Sequence, residues 1–206
     1  MNTRERIVQT ALDLFNERGS YAVTTNHIAA GMEISPGNLY YHFRNKEEII
    51  REIFANIVRD FDALYIRPAD ETPTAAALVG IYVLNCDLYY KYRFFYLELA
   101  TLLGQDELLR KRYRANLKTR MEQQTAIYEK LADAGILRPV PGRELRASLI
   151  NGWIVSDLWL TWLYIDNPRI TPARIRENIH QVYCLLKPYL APGPLAEIEK
   201  ALAALV

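Results

Sequence analysis

The chain has 206 residues, 50% of them hydrophobic and 24% charged, which is enough to bury a sizeable core and argues against wholesale disorder, a collagen-like repeat and a coiled-coil rod. Twenty-five basic side chains against 24 acidic ones leave a formal net charge of +1, so any nucleic-acid or membrane partner must be argued from local residues. Cys86 and Cys184 lie among apolar neighbours with no ligand set at metal spacing; two buried thiols in a reducing cytoplasm are expected, with no metal and no cofactor. The opening MNTRERIVQTALDLF lacks an apolar run ending in a small-residue cleavage site, which argues for retention in the cytoplasm.

Gly and Pro cluster near 31–37, 68–73, 135–142, 168–172 and 188–194, and the long gaps between these breakers favour helices. In the first segment Ile7, Val8, Ala11, Leu12, Leu14 and Phe15 form one helical stripe, with Asn2 and Glu5 at capping-box spacing and Gly19 as the stop. Thr24 or Thr25 caps a short second helix that turns Ile28 and Ala29 inward. Ser35 and Pro36 then read as the N-cap and first residue of a two-turn helix whose Leu39 and Phe43 face inward. Asn45 with Glu48 opens a long fourth helix carrying Ile49, Ile50, Ile53, Phe54, Ile57, Val58 and Phe61, and Pro68 stops it. Further helices are expected near 74–92, 94–103, 106–134, 143–165, 172–190 and 194–204, with no strand. The expected fold is all-α, with a helix-turn-helix domain over 1–46 and a larger helical body over 47–206.

Two short helices braced by a third form the geometry that lays one helix in the DNA major groove. With Leu39 and Phe43 buried, the third helix exposes Gly37, Asn38, Tyr41 and His42, small or uncharged groups that suit base edges. Asn38, and Asn26 on the preceding helix, have the chemistry to pair with adenine N6 and N7. Thr25, Tyr40, Lys46 and the start of the fourth helix suit the phosphate backbone, because hydroxyls, ammonium groups and exposed helix N–H groups bind anions without reading sequence, and Ser35, the N-cap of the third helix, completes the expected DNA-binding set. Residues 1–51 hold six basic residues (Arg4, Arg6, Arg18, Arg44, Lys46, Arg51) and six acidic ones (Glu5, Asp13, Glu17, Glu33, Glu47, Glu48). That balance predicts a modest salt dependence of DNA binding per subunit.

Thr24-Thr25 followed by Ile28-Ala29, then Ile34-Ser35-Pro36-Gly37-Asn38-Leu39-Tyr40-Tyr41-His42-Phe43 and Lys46-Glu47, resembles the signature of the tetracycline-repressor-type (TetR) transcriptional regulators over the first fifty residues. The resemblance implies a homodimer on a palindromic operator, with Asn26, Gly37, Asn38, Tyr41 and His42 facing bases and Thr25, Tyr40 and Lys46 on phosphates. One position departs from the family's pattern: glycine usually precedes the apolar residue and serine of the turn, and here Glu33 stands there. Glu33 must either accept a strained turn or alter it, and its charge repels nearby phosphates.

In the helical body, Ala147–Ile165 is apolar almost all round with the single charge Asp157, so it must be buried on several sides or sit in lipid. Ser148, Gly152 and Ser156 recur every four residues, a stripe that admits a second helix, and Ile175, Ile179, Val182, Tyr183 and Leu186 offer a partner face. A four-helix subunit interface is expected from these residues, and a membrane span is disfavoured by Asp157, Asn151 and the lack of basic anchors at both ends. Leu78, Tyr82, Asn85, Tyr89, Tyr92 and Tyr96 fall at steps of four and three, and either core or a ligand cavity satisfies that pattern. If a pocket, Asn85, Tyr89, Tyr96, Trp153 and Asp157 line it, with Asp157 selecting a cationic or hydroxylated small molecule. Arg110, Lys111, Arg112, Arg114, Lys118 and Arg120 spread around one helix among acidic residues and are read as a solvated face. No nucleophile–base pair or phosphate-binding loop indicates an enzyme. The reading is a ligand-responsive DNA-binding regulator, a homodimeric repressor released from its operator by a small hydrophobic or aromatic effector; the alternative is a helical carrier of hydrophobic ligands without DNA binding.

Overall fold

The computed structural model describes residues 2–65 and 74–204, and the predicted stop at Pro68 and the break through Pro73 lie outside them. Eleven α-helices appear among the described residues, with a 3₁₀ turn and one isolated bridge between Leu137 and Leu190 but no strand. They are α1 (Thr3–Arg18), α2 (Thr25–Gly31), α3 (Pro36–His42), α4 (Lys46–Tyr65), α5 (Ala75–Lys91), α6 (Arg93–Leu97), α7 (Leu99–Gln105), α8 (Glu107–Asp133), α9 (Gly142–Asp166), α10 (Pro172–Leu186) and α11 (Pro192–Ala203).

Local chemistry sets the boundaries. Asn2 caps α1 with a reciprocal Glu5 bond, the Thr24 hydroxyl accepts from the His27 N–H at the start of α2, and Ser35 accepts from the Asn38 N–H at the start of α3. Asn45 does the same for Glu48 at 2.9 Å. Each side-chain acceptor satisfies a first-turn N–H that would otherwise lack a partner. The stretch predicted as one helix over 94–103 is two, because Glu98 leaves helical geometry at φ −105° and ψ 9°. Pro188 lies in the 3₁₀ turn Lys187–Tyr189 that follows α10, where the predicted helix ran on to 190.

Two compact units result, one of residues Met1–Asp62 with Tyr92–Arg112, the other of Ala63–Lys91 with Tyr113–Val206. In the first unit the stripe of α1 packs as expected, with Ile7, Val8, Ala11, Leu12 and Phe15 buried beside Ile28, Ala29, Leu39 and Phe43. Aromatic residues from α6 complete that core: the Phe94 ring lies 5.0 Å from Phe15, and Phe95 stacks on Phe54 at 5.5 Å. Polar ties hold the same segment. Asn16 accepts from the Phe94 N–H, Arg51 reaches Asp106 at 2.6 Å, and Glu98 accepts from both the backbone N–H and the hydroxyl of Ser20. Gly19 fits here for two reasons, a φ of 76° and the approach of a Glu98 oxygen to 3.1 Å from where a Cβ would stand.

The second unit centres on Val79, Tyr128, Leu131, Ile136, Leu137, Leu145, Tyr183, Leu190 and Ile198, contributed by α5, α8, α9, α10, α11 and the segments between them. No helix among the described residues is long and apolar enough to cross a membrane.

Candidate functional site

The face of α3 opposite Leu39 carries Gly37, Asn38, Tyr40 and Tyr41, all exposed, with Tyr41 84% exposed and edge-on to the His42 ring. Asn26 on α2 is exposed as well. The helix is short enough to lie across a major groove, since seven residues span about 10 Å against a groove about 12 Å wide. Thr25 and Tyr40, both expected at phosphates, come together with their hydroxyl oxygens 3.1 Å apart. The Ser35 hydroxyl is engaged as the α3 N-cap.

Lys46 is placed differently from the expectation. Its ammonium donates to the carbonyls of Ser20 at 2.6 Å and Val23 at 3.1 Å, closing the loop between α1 and α2 instead of presenting a free cation to phosphate. Lys46→Met is therefore expected to lower the unfolding free energy by about 1.5–3 kcal/mol, the range for hydrogen bonds to a charged donor. The salt dependence of DNA binding should stay the same, whereas a phosphate contact would lower the slope by about 0.9 per subunit. Denaturant titration and binding at several salt concentrations separate the two roles.

Glu33 keeps the turn and adopts the strained geometry: it is the single non-glycine residue with positive φ among the described residues, at 55°, and it is exposed. The left-handed region costs a residue with a Cβ about 1–2 kcal/mol. Glu33→Gly should raise stability by about 1 kcal/mol and tighten DNA binding by removing a negative charge from the turn. Glu33→Ala should tighten binding without the gain in stability. Chemical unfolding and operator titration of the two variants check this.

Sequence reasoning overlooked Arg4. Its guanidinium donates to the His42 carbonyl at 2.7 Å and to Glu52 at 2.9 Å, and lies 4.0 Å above the Phe43 ring, so it fixes the C-terminal end of α3 against α1 and α4. Nothing in local spacing signals a contact to a backbone carbonyl 38 residues away.

In the second unit, Asp157 on α9 is buried, 5% exposed. Its Oδ1 accepts from the Tyr89 hydroxyl at 3.1 Å and its Oδ2 from the Tyr113 hydroxyl, which in turn receives the Trp153 indole N–H at 3.4 Å. Burial pushes the Asp157 carboxyl up to about 6, against the opposing pull of the Tyr113, Tyr89 and Trp153 donors. The same burial, with the neighbouring Asp157, raises the Tyr113 phenol. Three of the five expected ligand residues, Tyr89, Trp153 and Asp157, thus meet in one network. Asn85 is buried and donates to the Ile81 carbonyl of its own helix. Tyr96 lies in the other compact unit, buried edge-on to Phe95. The tyrosine stripe breaks because α5 ends at Lys91, after which Tyr92 is buried in the first unit and donates to Asp60 at 2.7 Å.

Comparison with known proteins places the whole chain in one family. The profile described as "Bacterial regulatory proteins, tetR family" matches residues 7–53, and the one described as "Bacterial transcriptional repressor" matches residues 58–198. A TetR-family transcriptional regulator from Marinobacter aquaeolei VT8, known from a crystal structure, superposes with a TM-score of 0.89 at 38% identity over 98% of this chain and 99% of its own. The chain belongs to the TetR family of bacterial transcriptional regulators. It is also similar to the HTH-type transcriptional regulator QacR of Staphylococcus aureus, 45% identical over 53 residues, and to the negative regulator IcaR of the biofilm operon icaADBC in Staphylococcus epidermidis, 34% identical over 68 residues. These matches cover 26% and 33% of this chain and span 28% and 37% of the two relatives' lengths.

For this TetR-family chain, part of the residue set expected at a subunit interface is buried within the second unit itself. Ile175, Ile179, Val182 and Tyr183 are buried within the second unit, Leu186 is half-buried, and the Ser148 hydroxyl donates to Tyr189 of the same subunit. Those four apolar side chains fill the subunit's own core and are unavailable to a partner. Gly152 and Ser156 are half-buried, while the outward face of α9 is formed by Ile150, Ile154, Leu158 and Trp162, all exposed. Large apolar residues at spacing of four form this outward face, beside the small-residue stripe of Ser148, Gly152 and Ser156. Cys86 is buried, as expected, and its thiol is pushed up to about 12 by burial, but Cys184 is exposed. Of the basic residues expected on a solvated face of α8, Arg120 is buried and donates to Gln123 at 2.9 Å.

Proposed function

We propose that the chain acts in the cytoplasm as a homodimeric repressor that reads a palindromic operator through α3 and is released by a small-molecule effector held in the helical body, without chemistry of its own. The observation that carries this reading is the exposed, uncharged face of α3, where Asn38 and Tyr41 stand clear of the core while Leu39 anchors the helix. Asn26, Gly37 and His42 complete the base-facing set, and Thr25 with Tyr40 forms a hydroxyl pair suited to phosphate.

Two such helices serve a palindrome when held ~34–36 Å apart by a two-fold axis. The exposed apolar face of α9 supplies the pairing surface, since Ile150, Ile154, Leu158 and Trp162 repeat at helical spacing and a patch of that kind marks an association site. An effector that binds more tightly to a dimer of different spacing shifts the population away from the DNA-competent form by its differential affinity.

Selection of bound duplexes from a random library, followed by titration of the enriched sequence at two salt concentrations, tests the reading. Enrichment of a palindrome bound by two subunits is the expected result. A failure to enrich any duplex from effector-free protein would overturn it.

A further inference from the structure

We infer that the effector is an amine, a protonated nitrogen on an apolar or aromatic frame whose ammonium lies against Asp157. The inference rests on the reading of the helical body as the effector-binding part. Among the described residues no lysine, arginine or histidine pairs with Asp157; its partners are the hydroxyls of Tyr89 and Tyr113. Asp106, whose side chain is also largely buried, holds Arg51 at 2.6 Å. A carboxylate offers about four lone-pair positions, and Tyr89, Tyr113 and the Trp153 indole engage at most three of them, which leaves room for a further donor. A buried carboxylate without a counter-ion is unfavourable in the ionised form, and its raised pKa reports that cost. A ligand ammonium removes the cost, an alcohol leaves the charge uncompensated and an anion adds to it.

The surroundings suit the same chemistry. Tyr89, Tyr113 and Trp153 are half-buried whereas Asp157 is buried, so the charge is more enclosed than the aromatic residues gathered around it. Aromatic faces attract a cation through the ring quadrupole, Trp most strongly, and the three rings arrive from α5, α8 and α9. Phenols that donate to the carboxylate are oriented by it, which holds their rings in place before any ligand arrives.

Calorimetric titration of the full-length protein with 2-phenylethylamine, 2-phenylethanol and phenylacetate at neutral pH tests this, with release of operator followed in parallel. The amine should bind about tenfold tighter than its hydroxyl isostere, and phenylacetate most weakly. Asp157→Asn should abolish the preference by weakening the amine alone. Trp153→Leu, which keeps the carboxylate, should weaken the amine more than the alcohol and serves if the Asn variant does not fold. The inference is overturned if the alcohol binds as tightly as the amine, if Asp157→Asn keeps the preference, or if millimolar amine does not bind. Release of operator by the alcohol would then leave the effector reading standing. Amine binding that leaves operator affinity untouched would instead retain the site and remove its regulatory role.

Discussion

Asn38→Ala should cost the dimer about 2–6 kcal/mol of operator affinity, from about 1–3 kcal/mol for a bidentate amide–adenine contact counted once in each half-site. That is a loss of roughly 30- to 20,000-fold. The side chain is exposed, and the hydrogen bond that caps α3 uses the Asn38 backbone N–H and the Ser35 hydroxyl, so truncation leaves the helix in place. Affinity for a scrambled duplex should change by no more than about twofold, because phosphate contacts carry non-specific binding. Fluorescence anisotropy on the selected and scrambled duplexes distinguishes the two, and unchanged operator affinity would remove Asn38 from the base-reading set. Tyr41→Ala should act in the same direction with dimerisation intact.

The second large effect concerns pH. Burial holds the Asp157 carboxyl at about 6, above its ordinary 3.8, so between those values the folded chain binds a proton that the unfolded chain has lost. Stability from this group is fully present below about pH 4 and is lost as pH rises through about 6, by up to about 3 kcal/mol. Asp157→Asn keeps an acceptor for the tyrosine hydroxyls and cannot ionise. Its unfolding free energy should therefore match the parent near pH 4 and exceed it by about 1–3 kcal/mol above pH 7, once the less complete hydrogen bonding of an amide is allowed for. Urea denaturation of both proteins across pH 4–8 measures the difference, and parallel curves would place the proton elsewhere.

Most helix ends were legible because they are chemical signals. Asn2, Thr24, Ser35 and Asn45 announce N-termini by residue type, and their bonds form as spacing predicts. The exposed face of α3 was legible for the same reason, since burying Leu39 determines which neighbours face out. Tyr96 was not, because a stripe counted at steps of three and four continues in sequence even where the helix stops at Lys91. Lys46 stands at the start of α4, but sequence says nothing of which carbonyls come within reach of its ammonium. Tyr113 escaped notice among fourteen tyrosines because its partner, Asp157, is 44 residues away and no local pattern joins them.

The contribution of α6 to the first unit bears on how regulators of this kind are recombined. Phe94 and Phe95 pack on Phe15 and Phe54, and Asn16, Ser20 and Arg51 are tied to the same segment. A chimera spliced after residue 46 or 53 would transplant the reading helices but leave behind the aromatic pair that seals them. Grafts that carry 1–62 together with 92–112 keep the unit whole, so the natural exchange boundary in this chain is discontinuous.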